Sequence, residues 1–318
     1  MNRQIVVQPW VVSSLRDQYD AVVAAVGFEA RSRAVAEILQ PSGKRSAACA
    51  FPDQKELCYY DNLDWYTKSG YSVQERNDED FGKWFEDFLL DIREDDVDEY
   101  KVAIDVSSVT RLRLAIMVDI LRRRQDEKPV VVDFIYSIAR FSSPPDSDVP
   151  NVHVGPVLKS FAGWSLNTDQ PAVAIVGLGY EENKALGAVE HLQASQVWAF
   201  TPTSPVQEYK KAMELANSVL FDTIPRENRI LYRAEQPIEC FVSLESLTER
   251  CLRSSGVVLL PFGPKIFSVC ALLVASIHVD AAVWRVSAGG AEPARNRVAS
   301  EYFCGLRTIF RSRELRGE

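Results

Sequence analysis

Two stretches of this chain, DAVVAAVG at 20–27 and AVAIVG at 172–177, are continuous apolar runs that end in glycine and lead at once into a helix pattern. This feature constrains the fold more than any other. A strand that is apolar at nearly every position must be covered on both faces, as a parallel strand is between two helical layers. The rhythm recurs along the chain. In the first half, EARSRAVAEILQ reads as a helix, RSAACAF and KVAIDV as strands, RLRLAIMVDILRRR as a helix and VVVDFIYSI as a strand. In the second, QVWAFTPT, SPVQEYKKAMELANSVLF, GVVLLP, KIFSVCALLVASI and AAVWRVS repeat the order strand, helix, strand, helix, strand.

The fold class expected is therefore α/β: two tandem Rossmann-like units with parallel sheets, related by an internal duplication. The first is expected over 1–150 and the second over 151–318. Residues 53–100, acidic and aromatic, read as an insertion in the first unit, with DFGKWFEDFLLDIRE as an amphipathic helix. Residues 142–170 carry Pro, Ser, Gly and Asp in number and read as a connection. The arginine-rich C-terminus, ARNRVASEYFCGLRTIFRSRELRGE, is expected to be a helix with a solvated face, the alternative being a docking surface for a nucleic acid or partner.

Ligands of open parallel sheets bind beyond the carboxyl ends of the strands, where the strand order reverses. Four loops are expected on that edge. VGFEARSR offers Gly27 for a tight turn, and Glu29 and Arg31 to read a base or ribose, or simply to fill a helix's first turn. DVSSVTR offers Asp105, Ser107, Ser108, Thr110 and Arg111. One hydroxyl would suffice to cap the helix, whereas several hydroxyls beside an arginine suit phosphate oxygens. Asp105 would orient Arg111 or contact a ribose. In the second half, VGLGYEENK offers Gly177, Gly179 and Glu181, and PFGPK offers Gly263 and Lys265. Arg111 follows Gly27 at nearly the interval at which Lys265 follows Gly177. A cation at a helix N-terminus opposes the dipole. Its repetition in both halves is expected to be offset by a bound anion.

Composition narrows the function classes. A net charge of −8 argues against coating DNA or RNA through the whole surface. Cys49, Cys58, Cys240, Cys251, Cys270 and Cys304 show no CxxC spacing and read as free, mostly buried thiols. His153, His191 and His278 are far apart, so no metal site is expected, and no cofactor is implied. There is no Walker A motif, no GxSxG elbow and no HExxH. MNRQIVVQPWVV does not read as a signal peptide, and IFSVCALLVASI is too short to span a bilayer. A cytoplasmic, membrane-free protein is the expectation.

AIDVSSVTR resembles the ligand-loop pattern of CARF domains, the Rossmann-like sensors of CRISPR-associated systems, and AVGFEARS resembles their first-strand loop. Two such units in one chain resemble the SAVED domain, a CARF fusion that binds cyclic oligonucleotides. Ser108 and Val109 stand where that pattern usually has glycines. No R-x4–6-H spacing of HEPN nucleases occurs. The resemblance implies a sensor of a nucleotide or cyclic oligonucleotide in a prokaryotic defence or stress system, with output passed to a separate effector protein. Two other functions fit the residues: an enzyme acting on a nucleotide phosphate or glycosidic bond, with Glu29 or Asp105 as acid or base, and a scaffold subunit.

Overall fold

The computed structural model describes residues 4–39, 45–92, 98–124, 128–143, 152–163, 170–287 and 294–311. The chain divides into two units, Met1–Ala139 with Ala294–Glu318, and Arg140–Pro293.

The first unit carries strands β1 (Gln4–Pro9), β2 (Ala21–Val26), β3 (Arg45–Ala50), β4 (Ser72–Glu75), β5 (Tyr100–Asp105) and β6 (Val130–Ala139), joined from the far end of the chain by β13 (Ala299–Arg311). Helices α1 (Ala34–Leu39), α2 (Tyr59–Lys68), α3 (Asp78–Asp91) and α4 (Arg111–Arg123) lie between them. The sheet order is β1-β13-β6-β5-β2-β3-β4, with β2 to β6 mutually parallel. The chain winds outward from β2 to β4 and then returns to β5 on the other side of β2. The order therefore reverses between β2 and β5. All six residues of β2 and all ten of β6 are buried, as helices on both faces require.

The C-terminal segment corrects an expectation. Residues 299–311 form a strand, not a helix, and they complete the first unit's sheet. β13 runs antiparallel between β1 and β6, so both of its edges are paired. β6 is buried along its whole length and needs a neighbour there. Arg307 stands opposite Asp133 in that register, and its guanidinium binds the fully buried carboxylate at 2.7 Å. Tyr19 donates a further hydrogen bond to Asp133 at 2.8 Å. A buried carboxylate is tolerated only with partners of this kind. Residues 312–318 lie outside the described residues.

The second unit carries β7 (His153–Pro156), β8 (Ala172–Gly177), β9 (Gln196–Thr203), β10 (Arg229–Arg233), β11 (Gly256–Pro261) and β12 (Ala282–Ser287). Its helices are α5 (Lys184–Leu192), α6 (Glu208–Ala216), α7 (Ser218–Thr223), α8 (Pro237–Leu252) and α9 (Lys265–Ile277). The sheet order is β10-β9-β8-β11-β12-β7, parallel except for β7 at the edge. The five parallel strands thus have the same winding as those of the first unit, and here the order reverses between β8 and β11. β7 falls in the stretch expected to be only a connection, and residues 144–151 and 164–169 of that stretch lie outside the described residues. α9 is buried from Ile266 to Ala275, which accounts for its almost wholly apolar sequence. Both units are Rossmann-like α/β folds. Their sheets are mostly parallel, as expected, and are mixed toward one edge of each, where β1, β13 and β7 pair antiparallel.

Candidate functional site

In the first unit the two loops at the reversal meet through Gly27. A side chain there would place its Cβ 2.8 Å from Ser108 Cβ and 3.1 Å from Ser108 Oγ. Only glycine lets the loop after β2 lie against the loop after β5. Three hydrogen bonds hold the turn. The Gly27 N–H donates to Ser32 Oγ at 2.9 Å, Ser32 Oγ donates to the Ala25 carbonyl at 2.7 Å, and Asn62 Nδ2 donates to the Gly27 carbonyl at 2.8 Å.

The hydroxyls of DVSSVTR divide the work among them. Thr110 is the N-cap of α4, and its side chain accepts from the Arg113 N–H at 3.2 Å. Ser107 is fully buried, and its Oγ accepts from the Ser137 N–H at 2.9 Å, which ties the loop to the end of β6. Asp105 turns the chain, its Oδ1 accepting from the Ser107 N–H at 2.8 Å. The Ser108 hydroxyl is buried and has no hydrogen-bond partner among the described residues. Arg111 is the half-buried first residue of α4, a helix with no acidic residue in its first turn.

Glu29 and Arg31 form an ion pair in the loop after β2. Both are buried, and they pair with each other at 2.6 Å. Arg31 also donates to Tyr136 Oη at 3.2 Å, to the Ser137 carbonyl at 3.1 Å and to the Ser107 carbonyl at 3.3 Å. Burial opposes its charge, but Tyr136 and Glu29 more than compensate, and its pKa lies above the ordinary arginine value. Glu29 has a second cation, Arg297, at 2.9 Å. The Ala30 and Arg31 N–H groups donate to Asn296 Oδ1 at 2.8 Å and to the Arg297 carbonyl at 3.0 Å. This buried network joins the ends of β2, β5 and β6 and ties residues 296–297 across the loop. Glu29 and Arg31 therefore hold these loops together.

The second unit repeats the arrangement with other residues. Gly177 ends β8, and a Cβ there would overlap the Phe267 ring at 2.3 Å. Its carbonyl accepts from the Phe262 and Gly263 N–H groups at 2.9 and 2.8 Å. A Cβ on Gly263 would lie 2.5 Å from the Leu178 carbonyl oxygen, and one on Gly179 would lie 2.9 Å from that of Phe262 and 2.5 Å from Glu181 Oε2. Again, close approach of the two loops requires glycine. Lys265 is the first residue of α9, whose first turn also lacks an acid.

Sequence reasoning missed a second parallel between the units. Asn217, which is buried, donates from Nδ2 to the Gly179 carbonyl at 2.8 Å, as Asn62 does to Gly27. A single asparagine inside a helical stretch carries no signal of such a role. Asn296 and Arg297 were also missed, because the network they enter is closed by chain from the far end of the sequence. A separate groove of about 920 Å³ runs between β3, β4 and α3, with Arg45, Arg76, Lys83 and Trp84 in its lining. Glu75, Asp80, Asp87 and Asp91 line it as well, so it favours neither sign of charge.

Among the described residues, no helix is long and apolar enough to cross a membrane. No protein-family model matches the chain, and no curated protein matches it.

Proposed function

We propose that each unit holds an anionic group of a nucleotide-type ligand at its strand-order reversal, and that the chain is a cytoplasmic sensor of a nucleotide or cyclic oligonucleotide. One observation carries this reading. At both reversals the helix that follows begins with a cation and has no acid in its first turn, Arg111 on α4 and Lys265 on α9. α3 of the same chain follows the opposite and electrostatically favoured rule, with Asp78, Glu79 and Asp80 in its first turn. A phosphate at such a helix start would be met by the cation and by the first-turn N–H groups together. The glycine contacts and the Ser108 hydroxyl fit the same purpose, since they bring backbone and a donor close to that point.

The defence or stress setting and the separate effector rest on the resemblance of AIDVSSVTR and AVGFEARS to the CARF pattern. In the enzyme reading Glu29 would act from within its pairs with Arg31 and Arg297, and Asp105 is the second candidate. A thermal-shift screen with mononucleotides, dinucleotides and cyclic oligonucleotides tests the proposal, with product analysis on every hit. A saturable stabilisation without turnover supports the sensor. Turnover would establish the enzyme reading instead, with Glu29 and Asp105 as the candidates. The absence of any shift would favour a scaffold.

A further inference from the structure

The loop after β8 carries more than backbone. Tyr180 follows Gly179 directly, and Tyr209 stands in the first turn of α6, the helix after the neighbouring strand β9. Phe141 joins them. The ring centroids of Tyr180 and Tyr209 are 5.4 Å apart, those of Phe141 and Tyr209 5.3 Å, and those of Phe141 and Tyr180 6.5 Å. All three residues are half-buried, so the cluster is neither core nor fully solvated. The Tyr209 hydroxyl donates to the Arg140 carbonyl at 3.0 Å, which fixes that ring. Asn217 fixes the Gly179 carbonyl just before Tyr180. The Gly179 position in turn lies against the Phe262 carbonyl, in the loop that leads to Lys265.

We infer that Tyr180, backed by Tyr209 and Phe141, is a stacking platform for a nucleobase, and that the second unit recognises the base as well as the phosphate of its ligand. This rests on the reading of Lys265 as an anion site. The chemistry fits: a planar base gains from an aromatic face whatever its sequence of polar edge groups, and a ring already held by neighbours loses little freedom on stacking. The first unit has no such cluster on its corresponding loop among the described residues, where Asn296 and Arg297 are bound instead.

The test is calorimetric titration of the full chain with ATP, GTP, CTP, UTP and inorganic tripolyphosphate, repeated on Tyr180→Ala and Tyr180→Phe, with circular dichroism as the folding control. At least one nucleoside triphosphate is expected to bind roughly five- to a hundredfold tighter than tripolyphosphate. Tyr180→Ala should remove that preference and leave tripolyphosphate binding unchanged, and Tyr180→Phe should retain it. Equal affinity for nucleotides and tripolyphosphate in the parent chain would overturn the platform while the anion site stands. So would a Tyr180→Ala variant that keeps the preference, or one that weakens every ligand alike. Failure of all five probes to bind would overturn the anion site and the platform together.

Discussion

Ser107, Ser108 and Thr110 sit within four positions of one another, yet replacing each by alanine should give three different results. Ser107→Ala removes the acceptor of the Ser137 N–H in a place without exposure to water. A buried donor left unsatisfied costs about 1–3 kcal/mol. Thr110→Ala removes the cap of α4, for about 0.5–2 kcal/mol. Ser108→Ala removes a buried hydroxyl that has no partner among the described residues, so it should leave stability within about 0.5 kcal/mol of the parent chain or raise it slightly. The same substitution should weaken ligand binding, because that hydroxyl lies where Gly27 brings the two loops together. Urea unfolding of the three variants, read by circular dichroism and compared at a common slope, gives the ranking. If Ser108→Ala proved as destabilising as Ser107→Ala, the hydroxyl would be structural, and the division of work in this loop would be refuted.

Gly27→Ala should destabilise by about 1–3 kcal/mol, since its Cβ would meet Ser108 Cβ at 2.8 Å, and adding Ser108→Gly should recover most of the loss. A denaturation cycle on the four combinations measures that coupling. Arg31→Met should cost about 3–5 kcal/mol by breaking the buried pair with Glu29, whereas Arg33→Met, at the half-exposed pair with Glu37, should cost under about 1 kcal/mol by the same assay. Burial pushes the Cys49 thiol up to about 11, with Arg113 pulling only partly the other way. Its folded value is raised, so the associated stability is present below the ordinary 9.0 and lost as pH rises through about 11. Thiol labelling at pH 8 should accordingly reach half-buried Cys58 well before Cys49.

The strands on either side of each reversal were legible because their surroundings dictate their composition. β2 and β8 must be apolar throughout, and the glycines that end or follow them mark where loops approach closely. The cap at Thr110 was legible too, as one of several equivalent hydroxyls. What adjacent serines do was not, because Ser107 and Ser108 differ only in the direction each side chain takes from the turn. β13 was misread for a related reason. Its arginines suggest a solvated helix, and the group that accommodates Arg307 inside a sheet, Asp133, lies 174 positions away. The sequence left Glu29 and Arg31 open between ligand contact and filling a helix's first turn, because a buried ion network and a binding site draw on the same residue types.

Titration calorimetry of the best nucleotide from the screen against the parent chain, Arg111→Ala and Lys265→Ala tests the central claim most directly. A charge-assisted hydrogen bond to phosphate contributes about 1.5–3 kcal/mol, which corresponds to roughly ten- to a hundredfold in affinity. Each substitution is expected to weaken binding at its own unit by about that factor, with circular dichroism and urea midpoints unchanged. Unchanged affinity in both variants would contradict the account, and so would loss of the fold, which would make these cations structural partners rather than ligands of an anion.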